Sequence, residues 1–577
     1  MIDWAGVAKG ALWVLGLATL LAACSRAYWL SGRQRVRFRT VLASPVLQMA
    51  CAAGLALLCA GLFFSARAPW ERTAWAALGA LYVALAVSEH YRSIAPCRSR
   101  PALRGGRQAP TGTPPDATPP HEIRSIAPCG RVPYGRLPRG RLATWLNRLE
   151  LCCALAAVPL LVFPGRWSPW ALGGLAALWA LRWATAGRLT VRTPADGPLL
   201  VLWLLLPLTW WASADHAVTL PALYQLLAGL LLCHSVVNWA VTPQRLWTAA
   251  GVLALCGAGL ALLAPLSVTT WPTSKLFNAL PVLAGLKPLL KPLWSEQINA
   301  NVLGGGLALI WPLAAALLAL RVLGSAWRAA LARLGWGAVL LAITAMLVLS
   351  QARASLLAVG LAALGMALWR WRPLRWLALC SAAALLVWLW QGGMPDARRW
   401  VELLSSTGTL TSLAGRQEVW SRALYMLEDF PFTGIGLGTF DLVQPLLYPF
   451  FLSAGLAHHA HNLFLQVAVD LGLPGLIAYL ALLLGTAFAT WRSLTRAPLS
   501  SGEQRPGQGL LALGLLGSQA VLVLQGLLDV ATWGTKLSFL PWFVLGLSLA
   551  LANGDSSADS ADRSSLICYR DERRLNK

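Results

Sequence analysis

The stretch Asn301-Val-Leu-Gly-Gly-Gly-Leu-Ala-Leu-Ile-Trp-Pro-Leu-Ala-Ala-Ala-Leu-Leu-Ala-Leu320 runs for 20 residues without an acidic or basic side chain. A helix that crosses a hydrocarbon core of about 30 Å needs roughly 17 to 25 mostly apolar residues, so this segment is long enough to span a membrane. Similar segments recur along the 577-residue chain, in which 57% of residues are hydrophobic and 12% are charged. The sequence therefore predicts an all-α polytopic membrane protein rather than a set of soluble domains.

The apolar segments fall into two groups separated by a polar stretch. The first group covers residues 10–30, 41–64 and 73–88. The second group has twelve segments, namely 149–165, 169–187, 199–213, 221–241, 247–266, 301–320, 335–350, 354–369, 375–391, 473–491, 509–528 and 537–552. We predict a three-helix extension in residues 1–88, a membrane core in residues 149–552 and a polar cytoplasmic tail in residues 553–577.

Residues 89–148, between the two groups, are rich in Arg, Pro and Gly. They contain the repeat Arg92-Ser-Ile-Ala-Pro-Cys97 and Arg124-Ser-Ile-Ala-Pro-Cys129. A segment of this composition buries too little apolar surface to offset the entropy lost on ordering. We therefore predict a disordered, basic cytoplasmic linker.

Basic side chains concentrate in alternate loops of the predicted topology. They include the linker, Arg33 to Arg39, Arg188 with Arg192, Arg370 to Arg375, and Arg492 with Arg496. Cytoplasmic loops carry such an excess of arginine and lysine, so we assign these loops to the cytoplasm. The formal net charge of +24 then indicates contact with anionic membrane lipids rather than with nucleic acid, for which no recognition motif is present.

The same alternation places the long segment 391–461 on the outer side, together with the shorter loops 213–219, 267–300 and 351–353. Within the long outer loop, Ser412 to Asp429 has helical periodicity, with Trp420, Leu424 and Leu427 on one face. We predict an amphipathic helix that lies at the outer face of the membrane.

Three of the seven histidines lie in His458-His459-Ala-His461-Asn462, where the outer loop re-enters an apolar segment. Imidazole titrates near neutral pH, so a histidine at this edge is suited to take a proton from a hydroxyl group. The alternative is a polar helix start in which Asn462 satisfies backbone groups. A metal site is not predicted, because no Cys, Asp or Glu lies nearby at ligand spacing and His458 and His459 would point apart on a helix.

Two arginines also stand out on the predicted outer side. Arg353, in Ser350-Gln-Ala-Arg-Ala-Ser355, interrupts two apolar spans, and a diphosphate would compensate its charge through bidentate hydrogen bonds. The alternative is an arginine that extends its guanidinium group to the interface. Arg416 opens the amphipathic helix in Gly415-Arg-Gln-Glu-Val-Trp420, and Arg422 follows within two turns; solvated charge is the ordinary explanation for both.

Other polar side chains lie near the predicted outer boundary, and a structural role is the ordinary explanation for each of them. They are Glu296, Asn299, Asn301, Asp470, Asp529 and Lys536. Asp470 lies beside an apolar helix, where an acid pairs with an arginine or orients a histidine.

Together these motifs resemble the O-antigen ligase and polymerase family of membrane glycan transferases. The matching pieces occur in the family's order: Gly415-Arg-Gln-Glu-Val-Trp420, Pro431-Phe-Thr-Gly-Ile-Gly-Leu-Gly438, His459-Ala-His-Asn-Leu-Phe-Leu465 and Asp470-Leu-Gly-Leu-Pro-Gly-Leu476. Ser350 to Ser355 is similar to a Ser-Arg-Gly segment, with Ala354 in place of glycine, and Asn299 to Gly304 is similar to the family's entry to an earlier span. The likeness covers about 295–480 and leaves the first three spans and the linker unexplained.

The resemblance implies a helical fold related to the GT-C glycosyltransferases, in a bacterial cytoplasmic membrane, with the active site facing outward. A glycan would pass from an undecaprenyl diphosphate carrier to a hydroxyl of a lipid, glycan or protein, without a metal or other cofactor. By position, Arg353 and Arg416 would bind the diphosphate. His461 would be the general base, with His459 beside it, because ten residues separate His461 from Gly472 as in the ligases. Supporting residues would be Asp470, Asn462, Glu418, Arg422 and Asn301.

The chemistry of diphosphate release agrees with these roles. Departure of a lipid diphosphate builds negative charge that two arginines stabilise, and in-line attack inverts the anomeric carbon. A repeat-unit polymerase and a protein O-oligosaccharyltransferase share this donor chemistry and remain alternatives. An anion or solute transporter is a further alternative, although the sequence lacks the repeat symmetry typical of transporters. The last alternative is a flippase or scaffold without catalytic activity.

Overall fold

A computed structural model of the chain describes residues 2–94, 141–267, 298–320, 326–371, 413–450, 457–496 and 506–554, with scattered residues between 373 and 387. The N-terminal helices are α1 (Trp4–Gln34), α2 (Phe38–Leu42), α3 (Pro45–Ser65) and α4 (Pro69–Ile94). The helices that follow are α5 (Arg141–Val162), α6 (Ser168–Ala186), α7 (Asp196–Trp211), α8 (His216–Trp239), α9 (Pro243–Ser267), α10 (Ala300–Leu318), α11 (Ala326–Ser350), α12 (Arg353–Arg370), α13 (Leu413–Asp429), α14 (Phe440–Leu447), α15 (Leu463–Arg496), α16 (Pro506–Gly526) and α17 (Phe539–Gly554).

The predicted all-α polytopic membrane fold is confirmed. Ten of the described helices are long and apolar enough to cross a membrane. α7 and α17 are apolar but shorter, and α4 and α6 occupy the predicted spans 73–88 and 169–187. The predicted span 375–391 lies largely outside the described residues, as do most of the linker, of loop 267–300 and of the tail, so the division of the chain into these parts stays a prediction.

The helix predicted at 473–491 differs most from its observed form. α15 begins ten residues earlier, at Leu463, and bends at Gly472, whose φ is 69° and ψ is −178°. The prediction began the helix after this bend because Gly472 and the nearby Pro474 both interrupt a regular helix. The two halves of α15 are nevertheless joined in one helix, because the segment that precedes α15 forms hydrogen bonds with both of them.

The hydrogen bonds at this bend explain how the chain tolerates it. In a regular helix the Val469 carbonyl would accept from the N–H group of Leu473. Here Leu473 donates to the Pro431 carbonyl at 2.7 Å, and the Val469 carbonyl accepts from Ile435 at 2.8 Å. The segment after α13 therefore replaces the missing helical hydrogen bond, and it fixes the outer loop against α15.

The predicted amphipathic helix is present as α13. Val419, Ala423 and Met426 are fully buried, whereas Trp420 is only partly buried. The buried side chains pack with Ile435, Phe440, Val443, Ala457 and Val469. One face of the helix therefore packs into a small core formed by the loop and α15, while the face predicted to lie at the membrane, with Trp420, stays partly exposed.

The N-terminal helix α1 packs along α15 and α7. The Arg26 guanidinium carbon lies 4.9 Å from the centre of the Phe488 ring, and the Ser25 hydroxyl accepts a hydrogen bond of 2.9 Å from the Gly197 N–H. At the start of α1, Trp4 meets Trp420 of α13 edge-on, with ring centres 6.2 Å apart. The extension is therefore packed against the core along the length of α1.

The contacts of α1 distinguish two ends of the molecule. Near its C-terminus, Arg33 donates to the Asn553 carbonyl at 3.1 Å and Trp29 donates to the Arg192 carbonyl at 3.2 Å. We call this the arginine end. The opposite end, marked by Trp4 and α13, carries the histidines and is called the histidine end.

The short loop 213–219 lies at the histidine end, because the Thr219 hydroxyl donates to the Leu437 carbonyl at 2.9 Å. Among the described residues, Arg33 and Arg192 thus lie at the end of the bundle opposite to α13 of the long loop, which is the arrangement that the alternation of loop charge predicted.

Candidate active site

The histidine segment is a bent loop that leads directly into the start of α15. His461 has a φ of 48°, in the left-handed region, where histidine is enriched among non-glycine residues. Asn462 caps α15 by accepting from the Leu465 N–H at 3.0 Å, and its amide donates to the Leu527 carbonyl at 3.0 Å. The backbone role considered for Asn462 is therefore correct. The same contacts connect the turn to the loop between α16 and α17.

That loop supplies an acid to the histidines. Asp529 Oδ1 lies 3.4 Å from His461 Nδ1, although the two residues are 68 positions apart in the sequence. The rings of His459 and His461 stand edge-on with centres 4.3 Å apart, and the His461 N–H donates to His459 Nδ1 at 3.3 Å. The side chains of His461 and Asp529 are 21% and 11% exposed, so this pair is largely enclosed but remains partly accessible to a reactant.

The surroundings shift the protonation of the cluster formed by His459, His461 and Asp529. Burial, together with the positive charges of His461, His458 and Arg416, lowers the pKa of His459 to about 4, against the opposing charge of Asp529. Burial alone would raise the pKa of Asp529. The hydrogen bond with His461, the charges of both histidines and the Val530 N–H outweigh burial and hold that pKa below its ordinary value. Asp529 is therefore ionised and His459 neutral at pH 7.

Arg416 is the arginine that lies next to the cluster, near enough for its charge to act on His459. Its Nε is buried and has no hydrogen-bond partner among the described residues. Arg422, six positions along α13, lies 3.7 Å from Glu418 in an ion pair within the helix. Glu418 and Arg422 therefore pair with each other, whereas Arg416 lies near enough to His459 for its charge to lower the pKa of that imidazole.

Arg353 is exposed at the first residue of α12 and is not among the groups that act on the histidines. Its neighbour Ala352 packs on Gly304 of α10, so closely that a Cβ on Gly304 would lie 2.5 Å from the Ala352 Cβ. A Cβ on the next residue, Gly305, would overlap Ala531, two positions from Asp529. The start of α12 and the Asp529 loop therefore lie on adjacent sides of the first turn of α10, at the histidine end.

Asp470 contacts neither an arginine nor a histidine among the described residues, which differs from the pairing considered for it. Its carboxylate accepts from Gln466 at 2.9 Å and from Trp533 at 2.8 Å. Gln466 in turn accepts from the Ala460 N–H at 2.7 Å. Asp470 therefore connects the histidine turn, through Gln466, to the loop that carries Asp529, through Trp533.

Asn301 is exposed near the start of α10, and its N–H donates to the side chain of Asn299 at 2.8 Å. The cap of this helix is Asn299, so a role for Asn301 in the site has no contact to support it among the described residues.

Asp529 was missed as a site residue by the sequence analysis. The only local signal was an acid directly after an apolar span on the predicted outer side, and nothing local connects that position to a histidine 68 residues earlier. The argument from the sequence against a metal site also failed, because it considered only residues close to the histidines in the sequence. Donor atoms of His459, His461 and Asp529 lie within 4.8 Å of one another, and the histidines do not lie on a helix.

Comparison with known proteins gives one family match. The family model for O-antigen ligase matches residues 336–480, which include both histidines and Arg416. No curated protein matches the chain. Members of the matched family are glycosyltransferase-like ligases and polymerases, and the resemblance read from the motifs is thus confirmed. Residues 336–480 of this multi-pass membrane protein are thus similar to the O-antigen ligase family.

Proposed function

We propose that this protein is an O-antigen ligase-like glycosyltransferase that moves a glycan from undecaprenyl diphosphate to an acceptor hydroxyl on the outer face of the cytoplasmic membrane. The observation that carries the proposal is that His461 pairs with Asp529 at one end of a helical bundle, in a cluster whose other histidine, His459, lies within reach of the charge of Arg416. Both histidines and Arg416 lie in the matched region. These groups supply a proton acceptor, a carboxylate that orients it and a cation.

His461 is suited to be the general base. Because its Nδ1 faces Asp529, Nε2 is left to take the acceptor's proton, and the carboxylate stabilises the imidazolium that forms. The acceptor oxygen then bonds to the anomeric carbon while the bond from that carbon to the diphosphate oxygen breaks. Attack from the face opposite the leaving group inverts the anomeric configuration.

Arg416 is suited to hold the leaving group. The electron pair of the broken bond remains on the diphosphate, whose added negative charge a guanidinium group stabilises through paired hydrogen bonds without a metal ion. The Nε of Arg416 is buried and has no hydrogen-bond partner among the described residues, so it is able to donate to an oxygen of the diphosphate. Arg353 is proposed to contact the same diphosphate from the start of α12, as the resemblance implies.

The outward orientation rests on the charge of the two ends. Because basic loops mark the arginine end, the positive-inside rule assigns that end to the cytoplasm and the site to the opposite face. The donor lipid would then approach within the bilayer, beside the partly exposed α13.

The test is reconstitution of the purified protein with undecaprenyl diphosphate-linked oligosaccharide and three separate acceptors: a lipid-linked core glycan, a second lipid-linked repeat unit and a protein. Release of undecaprenyl diphosphate with glycosylation of the lipid-linked core is the expected result. Extension of the repeat unit or modification of the protein would instead assign one of the related activities. Arg416→Gln and Arg353→Gln are expected to lose transfer by at least about 100-fold, as removal of one charge-stabilising group does elsewhere. Full transfer by both variants would contradict the proposed donor site.

A further inference from the structure

The cluster of His459, His461 and Asp529 combines three side chains that ligate transition metals. One donor atom from each lies within 4.8 Å of the other two, and two of the donors, His461 Nδ1 and Asp529 Oδ1, are 3.4 Å apart. Tetrahedral zinc, with bonds of about 2.0 to 2.2 Å to nitrogen and oxygen, holds its ligand atoms about 3.3 Å from one another. Coordination of an ion would draw the third donor, which lies within 4.8 Å of the other two, closer to that distance.

The arrangement also has the composition of an open metal site. Two imidazoles and one carboxylate favour zinc, cobalt, nickel or copper over magnesium or calcium, which prefer oxygen ligands throughout. Three protein ligands leave a fourth position, and the partial exposure of His461 gives an ion access from the histidine end. The ligands come from a turn and a loop that Asn462 joins through the Leu527 carbonyl, so the site is held by two fixed segments.

We propose that His459, His461 and Asp529 form a binding site for a divalent transition-metal ion such as zinc, and that its occupancy inhibits the protein. Inhibition rests on the proposed function, because an imidazole that donates its lone pair to a metal and loses its Asp529 partner no longer serves as an oriented base. Binding itself does not rest on that function. The positive charge of Arg416 near His459 opposes the ion, so removal of Arg416 is expected to tighten binding.

The binding test uses Co²⁺, whose visible absorption reports nitrogen and oxygen coordination, added to the full-length protein in detergent without donor or acceptor. His458 provides a matched control, because it neighbours His459 but is exposed and lies 3.7 Å from Asp441 rather than in the cluster. Wild type and His458→Ala are expected to develop the same absorption bands. His459→Ala and Asp529→Asn should bind Co²⁺ at least about tenfold more weakly, since each loses one of three ligands.

Three results would overturn the site: no cobalt absorption in wild type, undiminished binding in His459→Ala, or equal loss in His458→Ala. If His459→Ala fails to fold, as judged by size-exclusion chromatography, His459→Phe retains the ring volume without the ligand and is measured in its place. Zinc is then added to the transfer assay. Binding without inhibition would overturn the inhibitory part of the inference and the assignment of His461 as base, while leaving the metal site intact. Absence of binding alongside His461-dependent transfer would overturn the metal site alone.

Discussion

At the scale of single residues, the site depends on a pairing across the sequence. His461 is the base that the sequence predicts, because the histidine cluster lies beside an apolar span and the family resemblance selects His461 by its spacing to Gly472. The carboxylate that pairs with His461 was not predictable, because Asp529 belongs to a different loop. It reaches His461 only when α15 and α16 pack together. Asp470, which the sequence suggested as an acid that orients a histidine, is instead buried and accepts hydrogen bonds from Gln466 and Trp533.

Asp529→Asn tests the orienting role of the acid. The amide keeps the shape of the side chain but not the charge that stabilises a protonated His461, so the transfer rate should fall by about 100-fold or more. The KM for the lipid donor is expected to change little, because Asp529 does not face the diphosphate in this account. Steady-state rates across donor concentrations measure both quantities. A raised KM with an unchanged maximal rate would mean that Asp529 serves binding rather than the base.

The lowered pKa of His459 predicts how stability depends on pH. Its pKa is about 4 in the folded protein and 6.5 when unperturbed, so between these values the unfolded chain binds more protons. The free energy of unfolding therefore falls as the pH drops from about 6.5 towards 4. Asp529, with a pKa below its ordinary value of 3.8, adds its own loss only at lower pH. The melting temperature of wild type should drop more between pH 7 and pH 5 than that of His459→Gln; equal drops would contradict the buried, neutral state of His459.

At the scale of elements, apolar length predicted nearly every described helix, whereas the bend in α15 depended on contacts that no local pattern records. Gly472 and Pro474 indicated only that a regular helix is interrupted. The replacement of the helical hydrogen bond by Pro431 and Ile435 comes from a segment some forty residues earlier in the chain. For the same reason the packing of Val419, Ala423 and Met426 of α13 against this segment was not predictable from the local sequence.

Gly472→Ala tests that element. With φ at 69°, a Cβ would lie 2.6 Å from the Phe432 backbone, so the variant must shift the loop or the bend. We expect the free energy of unfolding to fall by roughly 1 to 3 kcal/mol, the range for a strained backbone position. Gly335→Ala is the control, because Gly335 lies within α11 and a Cβ there meets nothing within 4 Å. Thermal unfolding of both variants measures the difference, and equal stability would contradict the packed bend.

At the scale of the whole molecule, the positions of the spans and the division of loops into two ends followed from hydropathy and arginine distribution. The contacts of α1 with Asn553 and Arg192 at one end and Trp420 at the other agree with that division. The packing of the N-terminal extension onto the core was not predictable, because Ser25 and Trp4 of α1 have partners far away in the sequence, Gly197 and Trp420.

Orientation across the membrane gives a prediction at this scale. His458 is exposed at the histidine end, and Leu189, between Arg188 and Arg192, is exposed at the arginine end. A membrane-impermeant maleimide should label His458→Cys in intact spheroplasts, whereas it should label Leu189→Cys only after the spheroplasts are lysed. The wild-type chain corrects for labelling of its own cysteines. The reverse pattern would place the site in the cytoplasm and exclude an outward reaction.

The most direct test of the account is the transfer rate of His461→Ala under saturating donor and acceptor, beside His458→Ala. Both variants remove an imidazole from the same turn, but only His461 contacts Asp529. We predict that release of undecaprenyl diphosphate falls by at least about 100-fold in His461→Ala, the loss expected for a general base, and stays within about twofold of wild type in His458→Ala. Release at the wild-type rate by His461→Ala, in a protein that remains folded, would contradict the central claim.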